Sequence, residues 1–108
     1  VIRELLSLGF EKPMPIQAVG WPVILTGQDC ISIAKTGSGK TLAFLLPAIH
    51  CICQWQKRTK VVRPEGAGPL VLVVAPTREL ASQIYGESER FARAASCRAA
   101  CAYGGSAW

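Results

Sequence analysis

Cys30-Ile31-Ser32-Ile33-Ala34-Lys35-Thr36-Gly37-Ser38-Gly39-Lys40-Thr41 decides the reading of this chain. Its first five positions carry one polar side chain, Ser32, as expected of a strand covered on both faces. A glycine-rich turn follows, and then a helix opening at Lys40. Gly37 and Gly39 have no Cβ to block positive φ or close approach, so the backbone can fold around an anion. Successive N–H groups then point inward, and the new helix adds its free N–H groups and the positive end of its dipole. Lys40 offers a mobile charge for the outer phosphates, and Thr41 a hydroxyl for a magnesium ion. Ala34 stands where the strict phosphate-loop pattern has glycine, so the match is to the looser form. A helix that merely starts after a Gly-Ser-Gly turn would need neither the strand before it nor the lysine.

Working outward, Leu42, Leu45, Leu46, Ile49 and Ile52 recur at helical spacing. The predicted helix should be kinked by Pro47, carry His50 in a surface or packing role rather than a catalytic one, and end near Gln56. Residues 57–69 form a polar, basic connection, predicted to be a solvated excursion. Leu70–Ala75 reads as a second buried strand, bounded by prolines. Thr77 is a sound N-cap for the next helix, which should bury Leu80, Ile84 and Phe91. Arg78 opens that helix against its dipole, a small cost that hints at use. Cys97–Tyr103 is a weaker third strand ending at Gly104-Gly105. The order strand, loop, helix, strand, helix, strand predicts an α/β fold with a parallel sheet and ligands at the carboxyl ends of the strands.

On the amino-terminal side, Ile2, Leu5 and Leu6 predict a short helix stopped by Gly9. Pro15 suits the first position of the next helix, whose Ile16, Val19, Val23 and Ile24 should face a core and which Pro22 should bend. On residue physics alone, Phe10 reads as a hydrophobic staple and Gln17 as a solvated first-turn residue.

At 108 residues the chain is the size of one small domain, with half its residues apolar. Twelve basic against seven acidic side chains leave a net charge of +5, compatible with a polyanionic partner. Five cysteines carry no zinc spacing. Cys51 and Cys53 point to opposite sides of a helix, and Cys97 and Cys101 lie too far apart on a strand to chelate unaided. Reduced thiols in an intracellular protein are the expectation. No apolar run is long enough for a membrane span. The chain opens at Val1 rather than methionine and reads as a piece of something longer.

Three signals stand in a fixed order: the Gly9-Phe10…Pro15-Ile16-Gln17 turn, the Ala34–Thr41 loop, and Pro76-Thr77-Arg78-Glu79-Leu80-Ala81. Tyr103-Gly104-Gly105 follows. Together they resemble the start of a DEAD-box ATP-dependent RNA helicase, from Gly9 to Gly105. The resemblance implies the amino-terminal part of a RecA-like P-loop NTPase lobe, truncated before the strand with the Asp-Glu-Ala-Asp motif. Residues 8–29 would be an adenine-reading turn and helix, and residues 30–108 the start of the P-loop core. Phe10 would then stack on adenine, Gln17 bond the base edge and Lys12 lie beside the nucleotide. An amide suits adenine because it donates and accepts at once.

By the same resemblance, Ala34, Lys35, Thr36, Gly37, Ser38, Gly39, Lys40 and Thr41 would bind ATP. Lys40 and Thr41 would serve catalysis, with Thr41 holding Mg2+. Thr77, Arg78, Gly104 and Gly105 would hold the backbone of single-stranded RNA without reading its sequence. Met14 departs from the usual threonine, and loss of that cap should cost about 1 kcal/mol. The Asp-Glu-Ala-Asp carboxylates, the Ser-Ala-Thr coupling segment and the second lobe with its arginine finger are absent from the 108 residues. The chain alone is therefore expected to be inactive. Two rival readings of the parent are a nucleotide-dependent RNA clamp that does not unwind and a non-catalytic truncated remnant. Sequence beyond Trp108 and RNA-stimulated ATP turnover discriminate among them.

Overall fold

The structure, a computed structural model, describes residues 2–61 and 63–105. Its elements are four helices: α1 (Ile2–Ser7), α2 (Pro15–Leu25), α3 (Lys40–Thr59) and α4 (Arg78–Ala94). α3 is the central element, packed between α2 and α4. That position explains its wide buried face, which takes in Leu42, Ala43, Leu45, Pro47 and Ile49. Phe91 of α4 completes the core, with Leu5, Phe10, Phe44, Leu46, Cys53 and Ala95 half-buried around it. The Trp21 Nε1–H of α2 donates to the Leu42 carbonyl at 3.2 Å, fixing α2 against the first turn of α3.

Local signals set the helix ends. At the end of α1, Gly9 N–H donates to the Leu6 carbonyl and Phe10 N–H to the Leu5 carbonyl, the two bonds of a Schellman cap. Phe10 and Leu5 then both pack against the core, the hydrophobic contact that accompanies such a cap. Phe10 is thus the closing residue of α1 rather than a staple for α2. Thr77 caps α4 as expected, its Oγ1 accepting the Leu80 N–H at 3.2 Å. α4 closes with a second Schellman pair, Ser96 N–H to Arg93 O and Cys97 N–H to Ala92 O, with Ser96 at φ +57°.

Several expectations are corrected. α3 runs to Thr59, past Gln56, and its last turn carries Lys57 and Arg58, which favour a helix C-terminus. The connection beyond it is partly organised: Arg63 lies 5.8 Å from the Trp55 ring centroid and donates to the Gly68 carbonyl. Val19 is exposed because α2 turns Gln17, Gly20 and Ile24 inward instead. Leu6 and Leu80 are also exposed, Leu80 lying at the edge of the α4 face that buries Phe91 and Ala92. The side chain of Ile2 falls outside the described residues.

The expected sheet stands apart from the helices. Among the described residues there is no strand, so the parallel sheet of the α/β expectation is not confirmed. Residues 30–34, 70–75 and 97–103 run without a backbone ladder. A strand exists only through a partner that takes its N–H and C=O groups, and no two of these segments pair. Ile31 and Ile33 stand 94% and 93% exposed. Along the second segment Leu72 and Val74 face outward, while Val71 and Val73 are about half as exposed, a period-two pattern proper to a strand. Between this segment, residues 97–104 and helices α3 and α4 lies an open apolar cleft of about 1190 Å³.

Candidate functional site

The loop from Ala34 to Thr41 joins the unpaired segment at 30–34 to the first turn of α3. Gly37 and Gly39 take φ of +77° and +82°, the left-handed region that the turn requires. Gly39 is the N-cap of α3 and makes no side-chain cap, so the helix opens with N–H groups directed at the loop. Among the described residues, the N–H groups of Gly37, Gly39, Lys40 and Thr41 have no backbone acceptor. The Lys40 ammonium reaches back across the loop to the Ala34 carbonyl at 2.7 Å. Free N–H groups, a dipole end and a lysine on one small cradle fit a polyphosphate. Thr41 follows on the first turn, half-buried, and Lys35, Thr36 and Ser38 form the outer part of the loop.

The turn before α2 is tied directly to this loop. Gln17 is 2% exposed, against the solvated role that residue physics suggested. Its Oε1 accepts the Met14 N–H at 3.0 Å, and its Nε2 donates to the Gly39 carbonyl at 3.1 Å. Gly39 O also accepts the Ala43 N–H at 3.1 Å, the first bond of α3. One amide therefore closes the α2 N-terminus and holds the first turn of α3. Met14 makes no side-chain cap hydrogen bond; the reciprocal half of a capping box is present, the Gln17 oxygen accepting the Met14 N–H. Lys12 is exposed on the same turn, and Phe10 is half-buried against the core.

A second cluster forms where α4 begins. Arg78 donates from Nη2 to the Gly104 carbonyl at 2.7 Å, and its guanidinium carbon lies 5.1 Å from the Tyr103 ring centroid. The structure thus brings together Thr77, Arg78, Gly104 and Gly105, four residues predicted from two distant stretches. The cost inferred for an arginine at a helix start is offset by these two contacts. Sequence reasoning missed Tyr103; its signal was an aromatic ring immediately before two glycines.

The cysteines are all free thiols. Cys53 and Cys97 share the Ala95 carbonyl, at 3.8 and 3.5 Å. Burial, and then the neighbouring Cys53, push the Cys97 thiol above its ordinary value. Among the described residues no three His, Cys, Asp or Glu side chains group as metal ligands, and no helix is long and apolar enough to cross a membrane.

With this geometry in place, comparison with known proteins is direct. The chain is 49% identical over 105 residues to DEAD-box ATP-dependent RNA helicase 20 of Oryza sativa subsp. japonica, covering 97% of this chain and 20% of that protein. It is 48% identical over 105 residues to ATP-dependent RNA helicase dbp2 of Emericella nidulans, covering 97% of this chain and 18% of that protein. Its fold superposes on the crystal structure of the RNA-helicase Prp28 from Chaetomium thermophilum bound to ADP, with a TM-score of 0.80 and 35% identity. That match covers 98% of this chain and 24% of the other. The chain thus spans about a fifth of the length of these curated relatives. Residues 14–107, which include the Gln17 clamp, the phosphate loop and the Arg78 cluster, match the DEAD/DEAH box helicase family. The chain belongs to that family.

Proposed function

We propose that this chain is the nucleotide-binding first part of the amino-terminal RecA-like lobe of an ATP-dependent RNA helicase. The observation that carries the reading is the loop itself: the N–H groups of Gly37, Gly39, Lys40 and Thr41 without a backbone acceptor, the Lys40 ammonium reaching across to Ala34 O, and Gln17 holding the Gly39 carbonyl. Ala34, Lys35, Thr36, Gly37, Ser38 and Gly39 wrap the phosphates of ATP. Lys40 leaves the Ala34 carbonyl for the outer phosphates, and the Thr41 hydroxyl takes Mg2+. That ion, when bound, neutralises phosphate charge during transfer. Phe10, Lys12 and Gln17 serve the base, Phe10 by stacking on adenine, Gln17 by bonding its edge and Lys12 by lying beside the nucleotide. Thr77, Arg78, Gly104 and Gly105 hold the phosphates of single-stranded RNA, a contact that confers affinity without sequence choice. Thr77 can cap α4 through its oxygen and still donate its hydroxyl proton to a phosphate.

Residues 30–34, 70–75 and 97–103 become strands of a parallel RecA-like sheet in the whole protein. Support comes from the outward apolar side chains at Ile31, Ile33, Leu72 and Val74 and from the open cleft beside them. Strands from elsewhere in the protein would fill both. The protein works inside the cell, where its free thiols stay reduced.

The test is RNA-stimulated ATP hydrolysis and duplex separation by the full-length protein, with Lys40→Ala beside it. Lys40→Ala should weaken ATP binding by about 1.5–3 kcal/mol, the worth of a charge-assisted hydrogen bond. Equal ATP affinity of variant and parent by calorimetry would refute the loop assignment. ATP turnover without strand separation would identify an RNA clamp instead.

A further inference from the structure

Arg78 sits at the end of α4 where a cation gains nothing from the helix dipole, yet its guanidinium is held from several sides. Gly104 O accepts from Nη2 at 2.7 Å, and the Tyr103 ring lies against the guanidinium at 5.1 Å. A Cβ at Gly105 would approach Nη2 to 3.3 Å, so the Gly105 backbone closes a further side. A free arginine samples many rotamers, and freezing them opposes the binding of any anion. Here the freezing is done beforehand.

The chemistry of the support matters. A carboxylate would hold the guanidinium equally well, but it would neutralise the charge and compete with an incoming anion. An aromatic face attracts the cation through its quadrupole and leaves the charge unspent. The carbonyl takes one of five N–H donors, and the rest remain for a ligand. Such a site suits a phosphodiester backbone passing over Thr77, Gly104 and Gly105.

We propose that Tyr103 is a positioning residue for RNA-backbone binding, presetting the Arg78 guanidinium for a phosphate. The inference rests on the RNA reading given above. It adds a residue whose role is exerted through Arg78.

The experiment uses the full-length protein, a fluorescent oligouridylate and a non-hydrolysable ATP analogue, titrated over a range of salt. Tyr103→Leu should weaken RNA binding about three- to tenfold, in keeping with a cation–π contact, and flatten the salt dependence. Tyr103→Phe keeps the ring and should stay within about twofold of the parent. The double variant Tyr103→Leu with Arg78→Ala should bind no more weakly than Arg78→Ala alone, because Tyr103 acts only through Arg78. Measured without RNA, ATP-analogue affinity should be unchanged in the single Tyr103 variants, which a general packing defect would not allow. If Tyr103→Leu also loses ATP binding, Tyr103→Met is compared with Tyr103→Phe, and equal RNA affinities of those two overturn the proposal. Weakened binding in Arg78→Ala with parental binding in Tyr103→Leu overturns the positioning role alone. Parental binding in Arg78→Ala removes the RNA reading and the role together.

Discussion

Gln17 and Gly39 are joined across 3.1 Å by a hydrogen bond from a side-chain amide to the carbonyl that also starts α3. The bond ties the turn before α2 to the loop at 34–41.

Replacing Gln17 by alanine strands the Met14 N–H and removes one of two donors from Gly39 O. Leaving such groups unsatisfied costs about 1–3 kcal/mol. In the full-length protein, Gln17→Ala should weaken ATP and GTP alike through the loop, and ATP further through the base edge. Calorimetry with both nucleotides separates the two effects. An unchanged ATP-to-GTP ratio with both affinities lowered leaves Gln17 as a clamp alone, and unchanged affinities remove the clamp.

Gly37 and Gly39 should differ in their tolerance of alanine. Both have positive φ, which costs an L-residue roughly 1–2 kcal/mol. Only at Gly39 would the new Cβ collide with Gln17 Nε2 and come within 2.8 Å of Met14 Sδ, whereas at Gly37 it meets nothing within 4 Å. Gly39→Ala should weaken nucleotide binding more than Gly37→Ala does. Equal ATP affinities for the two variants would contradict this packing.

The raised Cys97 thiol carries a pH dependence of definite sign. Its protonated form is favoured in the folded state, so its contribution to stability is complete below the ordinary thiol value of the unfolded chain. It is lost as pH rises through that value and then through the higher folded one. Alkylation by iodoacetamide should accordingly be slower at Cys97 than at exposed Cys101 from neutral to mildly alkaline pH. Mass spectrometry of timed digests reads both sites, and equal rates would show that Cys97 is not shielded.

By itself the 108-residue chain should not form a cooperative monomer. Ile31, Ile33, Leu72 and Val74 face outward on segments whose backbone groups lack ladder partners. Such edges recruit other chains, and a net stability of only ~5–15 kcal/mol leaves little margin for them. At low micromolar concentration, sedimentation should show association, and amides at 30–34 and 70–75 should exchange rapidly. A monomer with a sharp urea transition and long-protected amides in both segments would sink this expectation.

What the sequence by itself determined is everything carried by neighbours along the chain. Pro15, Gly9, Thr77 and the Gly37-Ser38-Gly39-Lys40-Thr41 turn mark helix starts and stops through bonds spanning a few residues, so their reading needed no partner. The family was legible for the same reason, since its motifs are short and ordered. Tertiary structure decided the rest. Gln17 reads as a solvated residue until α3 brings the Gly39 carbonyl beside it, and Phe10 reads as a staple until the α1 cap turns it inward. Arg78 looks misplaced until Tyr103 and Gly104 arrive from the other end of the chain. The three apolar segments have strand sequences but no ladder, because a helix satisfies its own backbone locally and a strand depends on a partner that only tertiary contact supplies.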